Sequence, residues 1–143
     1  MGGGGPADVV GRRIGAAVVD VLVLAIVFLL AGVAFGGAEA GDGQASVRLE
    51  GAQALVYFAI VLIYYFAAEA ATGQTLGKRV LGLRVVRLDG SPAGAGAIAL
   101  RTILRVVDSL PFAYIVGLIV MLATPSKQRV GDLAAGTVVV AAR

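Results

Sequence analysis

The sequence predicts an all-α membrane fold: two transmembrane helices, a third apolar block that a proline breaks into a helical hairpin, and a candidate small cytoplasmic β-ribbon. Three observations lead there. The 143 residues are 59% hydrophobic with a mean hydropathy of +0.93, and only 15% are charged, against roughly 25% in an average soluble domain. So small a domain has too much surface for its volume to hide that much apolar material. The apolar residues fall in three long blocks, and the lysines and arginines gather in alternate segments between them. High hydropathy and low charge also exclude a disordered chain. With no cysteine and no histidine, disulfides, thiolate metal sites and Cys/His nucleophile–base pairs are excluded. No catalytic constellation, metal site or cofactor is expected. The net charge of +3 gives no reason to expect nucleic acid.

Residues 1–11 are glycine-rich and read as a flexible arm, with one membrane domain over 12–143. Pro6 stands where myristoylation at Gly2 would need Ser or Thr. Arg12-Arg13 ahead of an apolar run, with Ala38-Glu39-Ala40 beyond it, has the outline of a signal peptide. The run over 14–35 is 22 residues, longer than the ~7–15 of a signal core, and it contains Asp20. An uncleaved anchor is therefore expected. Residues 14–36 and 52–71 are each one bilayer's worth of helix, which takes ~20 residues. The third block, 93–124, holds 32 residues. As a single helix it would run roughly 48 Å, against a hydrocarbon core of ~30 Å. Pro111 interrupts it, because proline removes a helical hydrogen bond and disfavours helix at the residue before it. Two arms follow, 94–108 and 111–124.

Orientation follows the Lys/Arg distribution. Arg12 and Arg13 precede the first span. The first loop has only Arg48, beside Glu39, Asp42 and Glu50. The second loop carries Lys78, Arg79, Arg84 and Arg87, and the tail Lys127, Arg129 and Arg143. The N-terminus, second loop and tail are thus expected in the cytoplasm and the first loop outside. Both ends of the third block then share a side, as a hairpin allows; the alternative is an interfacial helix over 94–108 followed by one crossing. The β-branched run Gly82–Leu88, ending at the turn pair Asp89-Gly90, and the run Gly136–Val140 can pair as a surface ribbon, or remain two unpaired extended segments. Gly32 and Gly36 suit close helix–helix association.

Charges inside apolar blocks cost ~2.5–3.5 kcal/mol each even on a lenient scale, so they need partners, water or interfacial depth. Arg13 and Asp20, seven residues apart, share a helix face. Arg101, Arg105 and Asp108 fall at i, i+4 and i+7, again one face. The expectation is a buried charge network of Arg13, Asp20, Arg101, Arg105 and Asp108, in which the arginine stripe neutralises Asp20 by bidentate pairing. The competing reading has Arg101 and Arg105 snorkelling to headgroups. Tyr65 and Glu69 belong at the cytoplasmic interface and Tyr57 at the outer one; Asp20 and Glu69 are the candidates for an ion path. The segment from Gly73 to Arg79 has only three residues between its glycines and Arg79 after the lysine, so it is not a Walker loop. Beside a membrane, such a basic loop suits anionic lipid headgroups.

Arg12-Arg13 and Asp20 in the first span, the stretch Thr72-Gly73-Gln74-Thr75-Leu76-Gly77-Lys78-Arg79-Val80-Leu81-Gly82-Leu83-Arg84-Val85-Val86, and Gln128-Arg129-Val130-Gly131-Asp132-Leu133-Ala134-Ala135-Gly136-Thr137-Val138-Val139 together resemble the RDD family of bacterial membrane proteins. The family is named for an arginine and two aspartates. The arginine matches Arg12 or Arg13, the helical-face argument preferring Arg13. The first aspartate matches Asp20, and the second Asp132, with Asp108 as its rival. The motif residues are Arg12, Gly73, Thr75, Gly77, Lys78, Arg79, Asp132 and Gly136. Many relatives carry histidine before the last aspartate, where this chain has Gly131. The resemblance implies a small multi-pass protein of the bacterial inner membrane. Its implied activity is transport of a small ion or ligand, cation/proton antiport being proposed for some members; the residues themselves make the buried Asp20 the candidate exchange site, in a homo-oligomer, because so few short helices make a poor pore alone. The alternative is a non-catalytic accessory or anchoring subunit of a larger membrane complex.

Overall fold

The computed structural model describes residues 6–108 and 111–142. Ten elements follow in order: α1 (Pro6–Ala34), β1 (Ala38–Gly41), β2 (Gln44–Val47), α2 (Ala52–Thr72), α3 (Leu76–Val80), β3 (Leu83–Arg87), α4 (Ala95–Asp108), α5 (Pro111–Ala123), α6 (Val130–Ala134) and β4 (Thr137–Ala141). The expectation of a flexible arm through residue 11 is corrected over 6–11, which are helical. Pro6 occupies the first helical position, where its missing N–H is no loss. Asp8 lies in the first turn, where a carboxylate suits the helix dipole, and it pairs with Arg12 one turn on at 3.7 Å.

α1 and α2 are long and apolar enough to cross a membrane, and only 17% and 11% of their most apolar windows is buried inside the protein. They are not core helices of a globule: Ile14, Val18, Leu22, Leu30, Leu55 and Ile63 all stand exposed. α1 hides one narrow stripe, Val10, Arg13, Ala16, Asp20 and Leu24, at the three-to-four-residue spacing of a single helix face. α2 ends at Gly73 in the left-handed conformation (φ 70°), whose N–H caps the Glu69 carbonyl at 2.8 Å, the usual role of glycine there. Between α1 and α2 lies a second ribbon that was not expected: β1 pairs antiparallel with β2 across Asp42-Gly43. Both turn residues have positive φ, 49° and 75°, as a two-residue hairpin turn demands. The fold is thus not purely helical.

The ribbon of the basic segments forms as expected. β3 and β4 pair antiparallel, with Val85 opposite Val139. An isolated two-stranded ribbon is marginal, and this one rests on helices: Leu83, Val85 and Val139 form a core with Ala16 of α1 and Ile98 of α4. Asp89 closes the turn after β3 by accepting the Ser91 N–H at 2.9 Å. The third apolar block gives α4 and α5 within a residue of the expected arms; the joint between them lies outside the described residues. Because β3 precedes α4 and β4 follows α6, the pairing returns both ends of the block to one place.

Candidate functional site

One end of the helices carries a buried polar cluster. Three short pieces of chain, α3, α6 and β4, build it against α1, α2 and α4. α3 begins at Thr75, whose hydroxyl accepts the Lys78 N–H at 3.3 Å as an N-cap. α3 then lies so close to α1 that a Cβ at Gly77 would run into the Ala16 carbonyl and reach the Asp20 carboxyl. α6 follows the third block and brings in Asp132. Arg12 secures α3 from the other end, donating through Nε to the Leu81 carbonyl at 2.9 Å and through Nη2 to Gly82 at 3.1 Å.

Two carboxylates anchor the ion pairs. Glu69 of α2 is met by Lys78, by Arg101 Nε at 3.3 Å and by Arg105 Nη2 at 3.2 Å. Asp132 of α6 is met by Arg13 Nη2 at 2.7 Å and by Arg101, and it accepts the Arg129 backbone N–H at 3.0 Å. Arg101 therefore bridges the two centres, and its Nη1 also donates to the Thr137 hydroxyl of β4 at 2.7 Å. Arg13 adds a bond to the Lys127 carbonyl at 2.7 Å. Burial alone would raise the Asp132 carboxyl, but the guanidiniums of Arg101 and Arg13 overcome it and hold it at about 2. Burial pulls the Lys78 ammonium down to about 8, against the attraction of Glu69.

Asp20 is satisfied differently. Its Oδ1 accepts the Tyr64 hydroxyl at 2.7 Å and the Gly77 N–H at 2.8 Å, and its Oδ2 accepts the Thr75 hydroxyl at 2.6 Å. The expectation that the arginine stripe pairs with Asp20 is corrected: no salt bridge reaches Asp20 among the described residues. Neutral hydroxyls and an amide do the work, filling the acceptor positions of the carboxylate. Arg101 and Arg105 do point one way, as their spacing requires, but toward Glu69. They are drawn inward to carboxylates, so the snorkelling alternative does not describe Arg101. Asp108, the third member of the stripe, makes no ion pair among the described residues. Glu69 is fully buried and is a hub of the network, more than a residue at an interface. Tyr57 donates to the Leu24 carbonyl at 2.9 Å, joining α2 to α1 farther from the cluster.

Of the motif residues, Thr75, Gly77, Lys78 and Asp132 all enter the cluster, Gly73 caps α2, and Gly136 (φ 62°) turns the chain into β4. Arg79 stays exposed. Tyr64, Thr137 and Gln128 were not singled out as site residues. Gln128 is buried and donates to the Thr137 carbonyl at 2.6 Å.

Five cations, Arg13, Lys78, Arg101, Arg105 and Arg129, thus line a cavity of about 40 Å³ together with three carboxylates, Asp20, Asp108 and Asp132, room for very few waters, and the fourth carboxylate, Glu69, is paired with Lys78, Arg101 and Arg105. The Arg129 guanidinium has no carboxylate within 4.0 Å among the described residues. Burial and the nearby guanidiniums of Arg13 and Arg105 hold it below the usual arginine value.

Fold and site together define a small helical protein with two helices fit to cross a membrane and a buried ion-pair cluster at one end of them. The chain matches the model of the RDD family over residues 8–136, and it belongs to the RDD family. No curated protein and no solved structure matches it.

Proposed function

We propose that this chain is a non-catalytic, multi-pass protein of a bacterial inner membrane, serving as an accessory or anchoring subunit of a larger membrane complex. α1 and α2 cross the bilayer, α4 and α5 form a helical hairpin entering from the cytoplasmic side, and the N-terminus, the charge cluster and the β3–β4 ribbon face the cytoplasm. The apolar faces of α1 and α2 support the crossings, since lipid must cover them. The observation that carries the accessory role is the state of the carboxylates. Asp20 is held by three donors, and Glu69 and Asp132 are held by arginines and a lysine. Such a cluster locks helices together, and it sits in a surplus of positive charge that repels cations. The second reading, cation/proton exchange at Asp20 in a homo-oligomer, draws on the about 40 Å³ cavity that Asp20 lines.

Two measurements test this. The chain has no native cysteine, so single cysteines report topology cleanly. On intact cells an impermeant maleimide should label Ser46→Cys and should label Ser91→Cys only after lysis; labelling of both would overturn the orientation. In liposomes the purified protein should carry no Na⁺, K⁺ or proton flux above empty vesicles, and should co-purify from membranes with a stoichiometric partner. Flux abolished by Asp20→Asn in a protein that stays folded would replace this reading with ion exchange.

A further inference from the structure

The polar cluster opens on one side into an apolar groove of about 470 Å³ between α1, α2 and α4, within the range of small-molecule sites. Its long walls are aliphatic and aromatic, with Val18, Val21 and Leu22 on α1 and Phe58, Val61 and Leu62 on α2. Its inner end is cationic. Arg105 and Arg129 line both this groove and the small cavity of the cluster. The Arg105 Cζ lies over the Tyr65 ring, 3.8 Å from its centre, and the Arg105 Nε is buried with no hydrogen-bond partner. Arg129 has no ion-pair partner among the described residues. Asp108 lies at the same junction, so the local charge is not simply positive. Counted as charges, the cluster nevertheless holds one more cation than carboxylates, and Arg129, although Asp108 and Asp132 lie near enough to attract it, makes no ion pair among the described residues.

The geometry points to a binding site for one acidic phospholipid: the phosphate against Arg129 and Arg105, and an acyl chain along the α1–α2 walls. Guanidiniums bind phosphate oxygens through paired N–H donors, and an incoming phosphate would give the Arg105 Nε its acceptor. A single negative charge is what the cluster lacks, which selects a phosphodiester with no ammonium of its own. This site is separate from the exposed basic residues of the second loop, and lipid binding in it is independent of whether the protein anchors a partner or moves ions.

The test is native mass spectrometry of the full-length protein in detergent, titrated in parallel with phosphatidylglycerol, phosphatidylethanolamine and phosphatidylcholine. One phosphatidylglycerol should bind at least tenfold more tightly than either zwitterionic lipid. Arg129→Gln should weaken it by about tenfold, the worth of a charge-assisted contact, and Val18→Trp, which fills the groove and leaves the arginines in place, should weaken it as well. Arg87→Gln, an exposed change on β3, should leave it unaltered. Unfolding temperatures of the variants confirm that the folded protein is compared. Equal binding of the three lipids, or an Arg129→Gln protein that binds as the parent does, would overturn the proposal. So would glycerol phosphate competing as well as the intact lipid, which would leave a site for the anion alone.

Discussion

The two ends of α1 and α2 are built from the same helices by opposite means. At the cluster end, Arg13, Ala16 and Asp20 of α1 are 7%, 1% and 3% exposed and Glu69 of α2 is 1% exposed; at the other end Val33 and Leu55 are 69% and 70% exposed. The cluster end is crowded with α3, α4, α6 and the β3–β4 ribbon, whereas among the described residues the small β1–β2 hairpin sits at the far end. Helices surrounded by apolar solvent gain little from hiding apolar side chains against each other, so polar contacts and close backbone approach must specify how they meet. Here that specification is concentrated at one end, and the other keeps its apolar side chains exposed.

The largest break of this asymmetry is Arg101→Met. It leaves Glu69 and Asp132 without their shared cation and frees the Thr137 hydroxyl. Removing one partner of a buried pair costs about 3–5 kcal/mol. Thermal unfolding in detergent should show the loss; a change below about 1 kcal/mol would mean that Arg101 does not join the two centres. Next comes Gly77→Ala. The added methyl meets the Ala16 backbone, which cannot yield as a flexible side chain would. Overpacking of this kind costs about 1–3 kcal/mol, and the Gly77 N–H contact to Asp20 should be lost with it. A protein as stable as the parent would show that α1 and α3 are not in backbone contact.

Acid should loosen the cluster end selectively. The Asp132 carboxyl is depressed from 3.8 to about 2 in the folded chain. A depressed carboxyl stabilises the fold above its unfolded value, and the contribution fades as pH falls through the folded one. About 2 kcal/mol should therefore be lost between roughly pH 4 and pH 2. Chemical denaturation at pH 5 and pH 2.5 measures it, and Asp132→Asn should lower stability at pH 5 while reducing the acid sensitivity. An unchanged acid response in that variant would remove Asp132 as its source.

Much of the fold was legible because it follows from runs of residues. The apolar blocks fixed α2, α4 and α5 to within a residue or so, and the β-branched runs on either side of the third block located β3 and β4. The start of α1 was hidden behind glycines, although Pro6 and the Asp8–Arg12 spacing mark it. β1 and β2 are built of small and polar residues, so only Asp42-Gly43 announced them. α3 and α6 are five residues each, too short for any periodicity to register. In the site, spacing correctly put Arg101 and Arg105 on one face but could not say which acid lay opposite. That depends on where α3 and α6 fold back, a property of tertiary packing. Asp20, deepest in an apolar run, looked most in need of a cation. A carboxylate is equally well served by two hydroxyls and an amide, and these come from Tyr64, Thr75 and Gly77, far away in sequence.

The smallest effect should come from the same chemistry placed at the other end. Arg48 and Glu50 approach to 3.8 Å beside the β1–β2 hairpin, with side chains 81% and 76% exposed. Both remain solvated, so their attraction is screened and the entropy of holding two long side chains together offsets it. Arg48→Ala should shift stability by less than about 1 kcal/mol and the shift should shrink further in high salt, whereas the Arg101→Met loss should survive salt because its partners are out of reach of counterions. Equal sensitivity of the two sites to salt would mean that the cluster is open to water, and the contrast between the two ends would then rest on crowding alone. Unequal sensitivity would tie it to desolvation, the feature that makes a buried arginine irreplaceable where an exposed one is not.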